Sequence, residues 1–114
     1  MHEREFVEKR MAAKIINTNP VQSGHVALGG GGSFQATGVV DEDCTGVYAT
    51  LQQIVAPPAL PPAPIVGTPR SMNVGQGQAW TFSFIGVLQA SQYTLTVDAS
   101  SATGTCSASI TIAT

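Results

Sequence analysis

Within residues 79–114, three runs alternate apolar side chains with mostly small polar ones. Trp80, Phe82 and Phe84 are interleaved with Thr81, Ser83 and Ile85; Tyr93, Leu95, Val97 and Ala99 with Thr94, Thr96 and Asp98; Cys106, Ala108, Ile110 and Ile112 with Ser107, Ser109 and Thr111. Successive side chains of a strand point to opposite faces, so each run sends one face into a core and leaves the other wet. An amphipathic helix repeats its apolar positions every three to four residues and does not fit this pattern. The 100–105 segment, which contains Gly104, reads as the hairpin turn between the last two strands. Three such strands confine the chain to the all-β class.

The preceding residues add shorter strands. Residues 14–18 form an apolar-polar run that Asn19-Pro20 terminates, and residues 21–28 continue it after the break. Gly29 to Gly32 then interrupt the pattern. A phosphate-cradling loop needs a Lys-Ser/Thr pair behind its glycines, and Ser33-Phe34-Gln35 supplies none, so the four glycines read as a flexible hairpin loop or bulge. Residues 33–40 and 47–55 are further strands, the second with Val47, Ala49 and Leu51 on one face and Tyr48, Thr50 and Gln52 on the other.

Six of the seven prolines lie in residues 56–69. Proline donates no backbone hydrogen bond, so this segment is not a central strand but a semi-rigid polyproline connection. It admits two readings. One is a long crossover between two sheets, with Leu60 and Ile65 packed down; the other is a proline-rich ligand for an aromatic groove. The crossover is preferred, because a sandwich needs such a connection.

Charge is scarce and unevenly placed. Charged residues are 11% of the chain, against roughly a quarter in an average soluble protein. Half of them, Glu3, Arg4, Glu5, Glu8, Lys9 and Arg10, fall in the first ten positions. A net charge of −2 without a basic stripe argues against nucleic-acid binding. No run approaches the roughly 18 apolar residues of a membrane helix, and no apolar core of a secretory signal follows the charged start. The protein is therefore expected to act without export, or to be a piece of a longer exported chain. Glu5 and Lys9 can pair one helical turn apart, but so short a helix is marginal in water. Residues 1–13 read as a helical or extended arm that orders against a partner, or as a frayed tail or leader ahead of Met11.

Residues 91–112, SQYTLTVDASSATGTCSASITI, resemble the closing hairpin of bacterial and phage immunoglobulin-like domains. There a Tyr-Thr-Leu-Thr-Val strand precedes a glycine-containing turn and a Ser/Thr-rich last strand. Tyr93 also sits where the tyrosine corner of such domains would place it, shortly after Leu88. The resemblance covers about a fifth of the chain. It implies an immunoglobulin-like antiparallel β-sandwich of about seven strands over residues 14–114, preceded by the arm and containing the proline-rich crossover 56–69. Two departures from the antibody pattern stand out. Leu95 occupies the place of the second cysteine, and Trp80 lies far beyond Cys44 rather than shortly after it.

Cys44 and Cys106 therefore do not match the usual inter-sheet bridge. They remain a possible disulfide tying a loop to the start of the last strand, worth roughly 4 kcal/mol in the chain-entropy account. The alternative is two reduced, buried thiols that behave as small apolar residues.

Catalytic chemistry finds little support. A Ser, Thr or Cys nucleophile needs an adjacent base, and the two histidines, His2 and His25, stand in a charged tail and a glycine-rich segment. Two cysteines and two histidines without close spacing do not make a zinc site. Asp41, Glu42 and Asp43, helped by Asp98, could ligate calcium, but a solvated acidic turn is the preferred reading. No catalytic residue, metal site or cofactor is expected. The expected role is a non-enzymatic structural or interaction protein. Its first form is a virion component, a phage capsid decoration or tail-associated protein, in a homo-oligomer or large assembly. Docking on other protein subunits would run through Phe6, Val7, Arg10, Ile15 and Ile16, with no nucleic-acid or membrane partner. The alternative is an extracellular, adhesive or carbohydrate-binding module of an exported protein, with Trp80, Tyr48 and Tyr93 as stacking candidates.

Overall fold

The computed structural model describes residues 15–114, which are all-β. Nine strands follow in chain order: β1 (Ile15–Asn19), β2 (Gly24–His25), β3 (Phe34–Val40), β4 (Cys44–Ile54), β5 (Ile65–Val66), β6 (Met72–Val74), β7 (Ala79–Phe84), β8 (Gln92–Ser101) and β9 (Gly104–Ala113). They form a three-stranded sheet, β1-β3-β7, and a six-stranded sheet, β2-β9-β8-β4-β5, with β6 also pairing β4. Among the described residues only β2, on β9, pairs in parallel. Two more strands appear than the seven or so expected, because β5 and β6 span only two and three residues and carry no readable periodicity.

The alternation in β7 and β8 becomes one core shared by the two sheets. Trp80, Phe82, Phe84, Phe34, Ala36 and Val40 project from the small sheet; Val47, Ala49, Leu51, Tyr93, Leu95 and Val97 project from the large one. Phe34 and Phe84 are cross-strand partners and stack with ring centres 5.3 Å apart, a contact that adds to plain area burial. The last strand is less complete. Ile112 is buried, whereas Cys106, Ala108 and Ile110 are only half-buried, since a three-stranded layer is too narrow to roof the whole of a six-stranded one.

The expected facing of β4 holds, with Val47, Ala49 and Leu51 buried, and a bulge carries the strand back to Cys44. Thr45 pairs Ser100 and Tyr48 pairs Asp98, so β4 has one residue more than β8 in that interval. Gly46 supplies it, with φ 62°, a left-handed conformation that glycine adopts at no steric cost. The extra residue turns both Cys44 and Val47 inward although they are three apart.

The glycine run is a packed turn rather than a free loop. Gly29 and Ser33 pair across it, and the carbonyls of Gly31 and Gly32 accept hydrogen bonds from Gly86 and Val87 (3.0 Å each). The proline-rich segment also differs from expectation. Residues 56–64 return to the sheet they left: β5 pairs β4, and Gln52 Nε2 donates to the Pro62 carbonyl at 2.8 Å. Contact with the other sheet is made at residues 67–69, where Thr68 exchanges hydrogen bonds with Ser83 on β7 (2.8 and 2.9 Å). Ile65 is half-buried, but Leu60 is 89% exposed and not packed down.

Candidate functional site

The outer face of the large sheet carries hydroxyls, one exposed tyrosine and one carboxylate. Strand register puts Tyr48 on β4, Asp98 on β8 and Ser107 on β9 in one row. Tyr48 follows the Gly46 bulge and is 44% exposed. Beside it lies an open hollow of about 400 Å³, lined by Tyr48, Asp98, Ser100, Thr105 and Ser107, with Ala99 and Cys106 completing the wall. An aromatic ring next to a carboxylate and several hydroxyls offers apolar area together with hydrogen-bond donors and acceptors. That mixture suits a ligand with alternating C–H and O–H surfaces. The row was only half legible in the sequence. Alternation places Tyr48 and Asp98 on wet faces, but which residue meets which depends on the bulge.

Three loops converge at one end of the molecule, held by acidic side chains. Asp43 Oδ1 accepts from the backbone N–H of Gln76 at 2.8 Å, joining the β3–β4 and β6–β7 loops. The Glu42 carboxylate accepts from the Thr103 hydroxyl at 2.9 and 3.1 Å, joining the β8–β9 hairpin to the same loop. Gly77 N–H donates to the Val40 carbonyl at 2.9 Å. These carboxylates act as ties between loops. Among the described residues no group of three or more His, Cys, Asp or Glu is placed to hold a metal ion.

Of the two readings of Cys44 and Cys106, a disulfide or two reduced thiols, the structure has the second: both are free. Cys44 pairs with Ser101 on β8, and Cys106 pairs with Ala99 on the far side of the same strand. Two interstrand steps of about 4.8 Å already exceed the roughly 6.8 Å limit between bridged α-carbons. Burial pushes both thiols above the ordinary cysteine range, with Glu42, Asp41 and Asp43 adding to the effect at Cys44, and Cys44, Asp41, Asp98 and Glu42 at Cys106. The Cys44 thiol donates to the Glu42 carbonyl at 3.4 Å. Neither is poised as a nucleophile, which must be a thiolate.

The other singled-out residues are dispersed. Phe6, Val7 and Arg10 lie outside the described residues. Ile15 and Ile16 open β1, paired with Val40 and Val39. His25 is exposed on β2. Of the three aromatic stacking candidates, Trp80 and Tyr93 are buried in the core, leaving Tyr48 accessible. The Tyr93 hydroxyl accepts a hydrogen bond from the backbone N–H of Leu88 at 2.9 Å. No protein-family model matches the chain, and no curated protein is similar to it.

Proposed function

We propose that this chain is an immunoglobulin-like interaction module without catalytic activity, carried on a larger protein assembly such as a virion. The observation that carries this reading is the Tyr93 hydroxyl hydrogen-bonded to the Leu88 backbone, the geometry of a tyrosine corner. Strand order supports it. Taking β1, β3, β4, β7, β8 and β9 as strands A, B, C, E, F and G, strands A, B and E share one sheet and C, F and G the other. β6, which would lie beside β7 in a constant-type domain, pairs with β4 instead.

In this reading residues 1–13 dock on a neighbouring subunit, continued by Ile15 and Ile16, and the hydroxyl-rich sandwich faces outward as a capsid decoration or tail-associated part. Removing residues 1–12 is expected to leave the fold intact and to release the protein from its assembly. Retention of the truncated chain in the native particle overturns the docking role.

A second reading, an adhesive or carbohydrate-binding module of an exported protein, is favoured by the hollow beside Tyr48, Asp98 and Ser107. A glycan array decides it. Saturable binding that Tyr48→Ala removes supports the reading, and the absence of binding to any glycan sinks it.

A further inference from the structure

The six-stranded sheet ends on the two-residue β2, so among the described residues the outer edge of β9 is covered for only part of its length. Near the C-terminal end the edge is satisfied: Ser23 N–H donates to the Thr111 carbonyl at 2.7 Å, Thr111 N–H to Gln22 Oε1 at 2.9 Å, and Val26 N–H to the Ala113 carbonyl at 2.8 Å. The N–H and C=O of one strand residue point to the same side, and the side alternates along the strand. β9 pairs β8 without a register slip from Gly104 to Ala113. The residues that share the outward orientation of Thr111 and Ala113 are therefore Thr105, Ser107 and Ser109. All three are exposed, and no strand among the described residues pairs with them.

Two other edges are blunted. β4 carries β5 and β6, flanks the proline-rich loop and is kinked by the Gly46 bulge. β7 is bridged by Thr68, next to Pro69. Natural sheets guard open edges with charges, prolines or bulges, because unpaired backbone groups recruit another strand. Residues 105–109, Thr-Cys-Ser-Ala-Ser, contain no charge and no proline.

We propose that this edge receives the β9 edge of a second copy of the chain, antiparallel, joining the two six-stranded sheets across a two-fold axis at Ser107. That register uses all three outward residues, pairing Ser107 with its symmetry mate and Thr105 with Ser109. A homotypic contact sets each charge near its own copy, so an uncharged edge is the kind that tolerates self-pairing. The half-buried Cys106, Ala108 and Ile110 on the inward face of β9 lie beside the same seam and gain cover from the mate. Each chain has one such stretch on β9, so the contact closes at a dimer. The inference rests on the sheet edge alone and does not depend on the arm or on the assembly proposed above.

Sedimentation equilibrium on the full chain tests it. The wild-type protein is expected at twice its 11.8 kDa mass. Ser107→Pro blocks the seam without removing a β8–β9 hydrogen bond, since that N–H points outward. Ser107→Lys sets two like charges at the axis and leaves the backbone untouched. Both variants are expected to halve the mass while circular dichroism stays that of the wild type. A wild-type monomer at the highest soluble concentration overturns the proposal, as does a folded Ser107→Lys variant that remains dimeric. If Ser107→Pro fails to fold, Ser107→Lys decides.

Discussion

Gly38 and Trp80 face each other across β3 and β7, and the indole lies where a β-carbon on residue 38 would stand. The largest side chain of the core is thus seated on a residue with none. Gly38→Ala is expected to destabilise the protein by about 1–3 kcal/mol, the usual cost of overpacking, seen as a lower midpoint in urea with an unchanged slope. Trp80→Phe in the same background should recover part of that loss, because the smaller ring vacates the contested space and removes an indole N–H that is buried without a partner. Strict additivity of the two substitutions would contradict the seating.

The Tyr93–Leu88 hydrogen bond fixes the turn into β8. Tyr93→Phe keeps the buried ring and deletes only the acceptor, so a loss of about 1 kcal/mol is expected. Amide hydrogen exchange gives a local check. Leu88 N–H should lose protection selectively, while the β8–β9 ladder keeps its own.

Two left-handed glycines separate strain from space. At Gly46 a β-carbon meets nothing within 4 Å, so Gly46→Ala should cost only the conformational penalty, about 1–2 kcal/mol. At Gly32, with φ 69°, a β-carbon also collides with the backbone of Val87. Gly32→Ala should be clearly the worse of the two in thermal melts; equal losses would show that the contact with Val87 is dispensable.

The raised cysteines make a prediction about pH. The folded state holds both thiols protonated longer than the unfolded chain does, so it binds more protons and stability falls as pH rises past the unfolded value near ~8.5. Below that value the contribution is fully present. Stability of the Cys44→Ala, Cys106→Ala double variant should therefore decline less between neutral and alkaline pH than that of the wild type. At neutral pH an alkylating reagent should label half-exposed Cys106 before buried Cys44.

Much of the fold was legible because strand alternation is local. Trp80, Phe82, Phe84, Tyr93, Leu95 and Val97 announced their inward faces through their neighbours two residues away, and Tyr93 stood at the spacing from which its hydroxyl reaches Leu88. The placement of the hairpin at Gly104 was equally local, since the turn closes between Ser101 and Gly104. The single row of Tyr48, Asp98 and Ser107 was not legible, because cross-strand neighbours depend on register and register on a one-residue bulge.

The sequence by itself determined the all-β class, the inward faces of β7 and β8, and the accessible polar character of the opposite face, all consequences of a two-residue period. Tertiary structure alone decided the rest. It buried Cys44 through the bulge at Gly46, kept it from Cys106 by placing β8 between them, and returned the proline-rich loop to its own sheet. Among the described residues it also left half of the β9 edge without a pairing strand. These depend on how segments distant in the chain align, and no local pattern of side chains encodes that alignment.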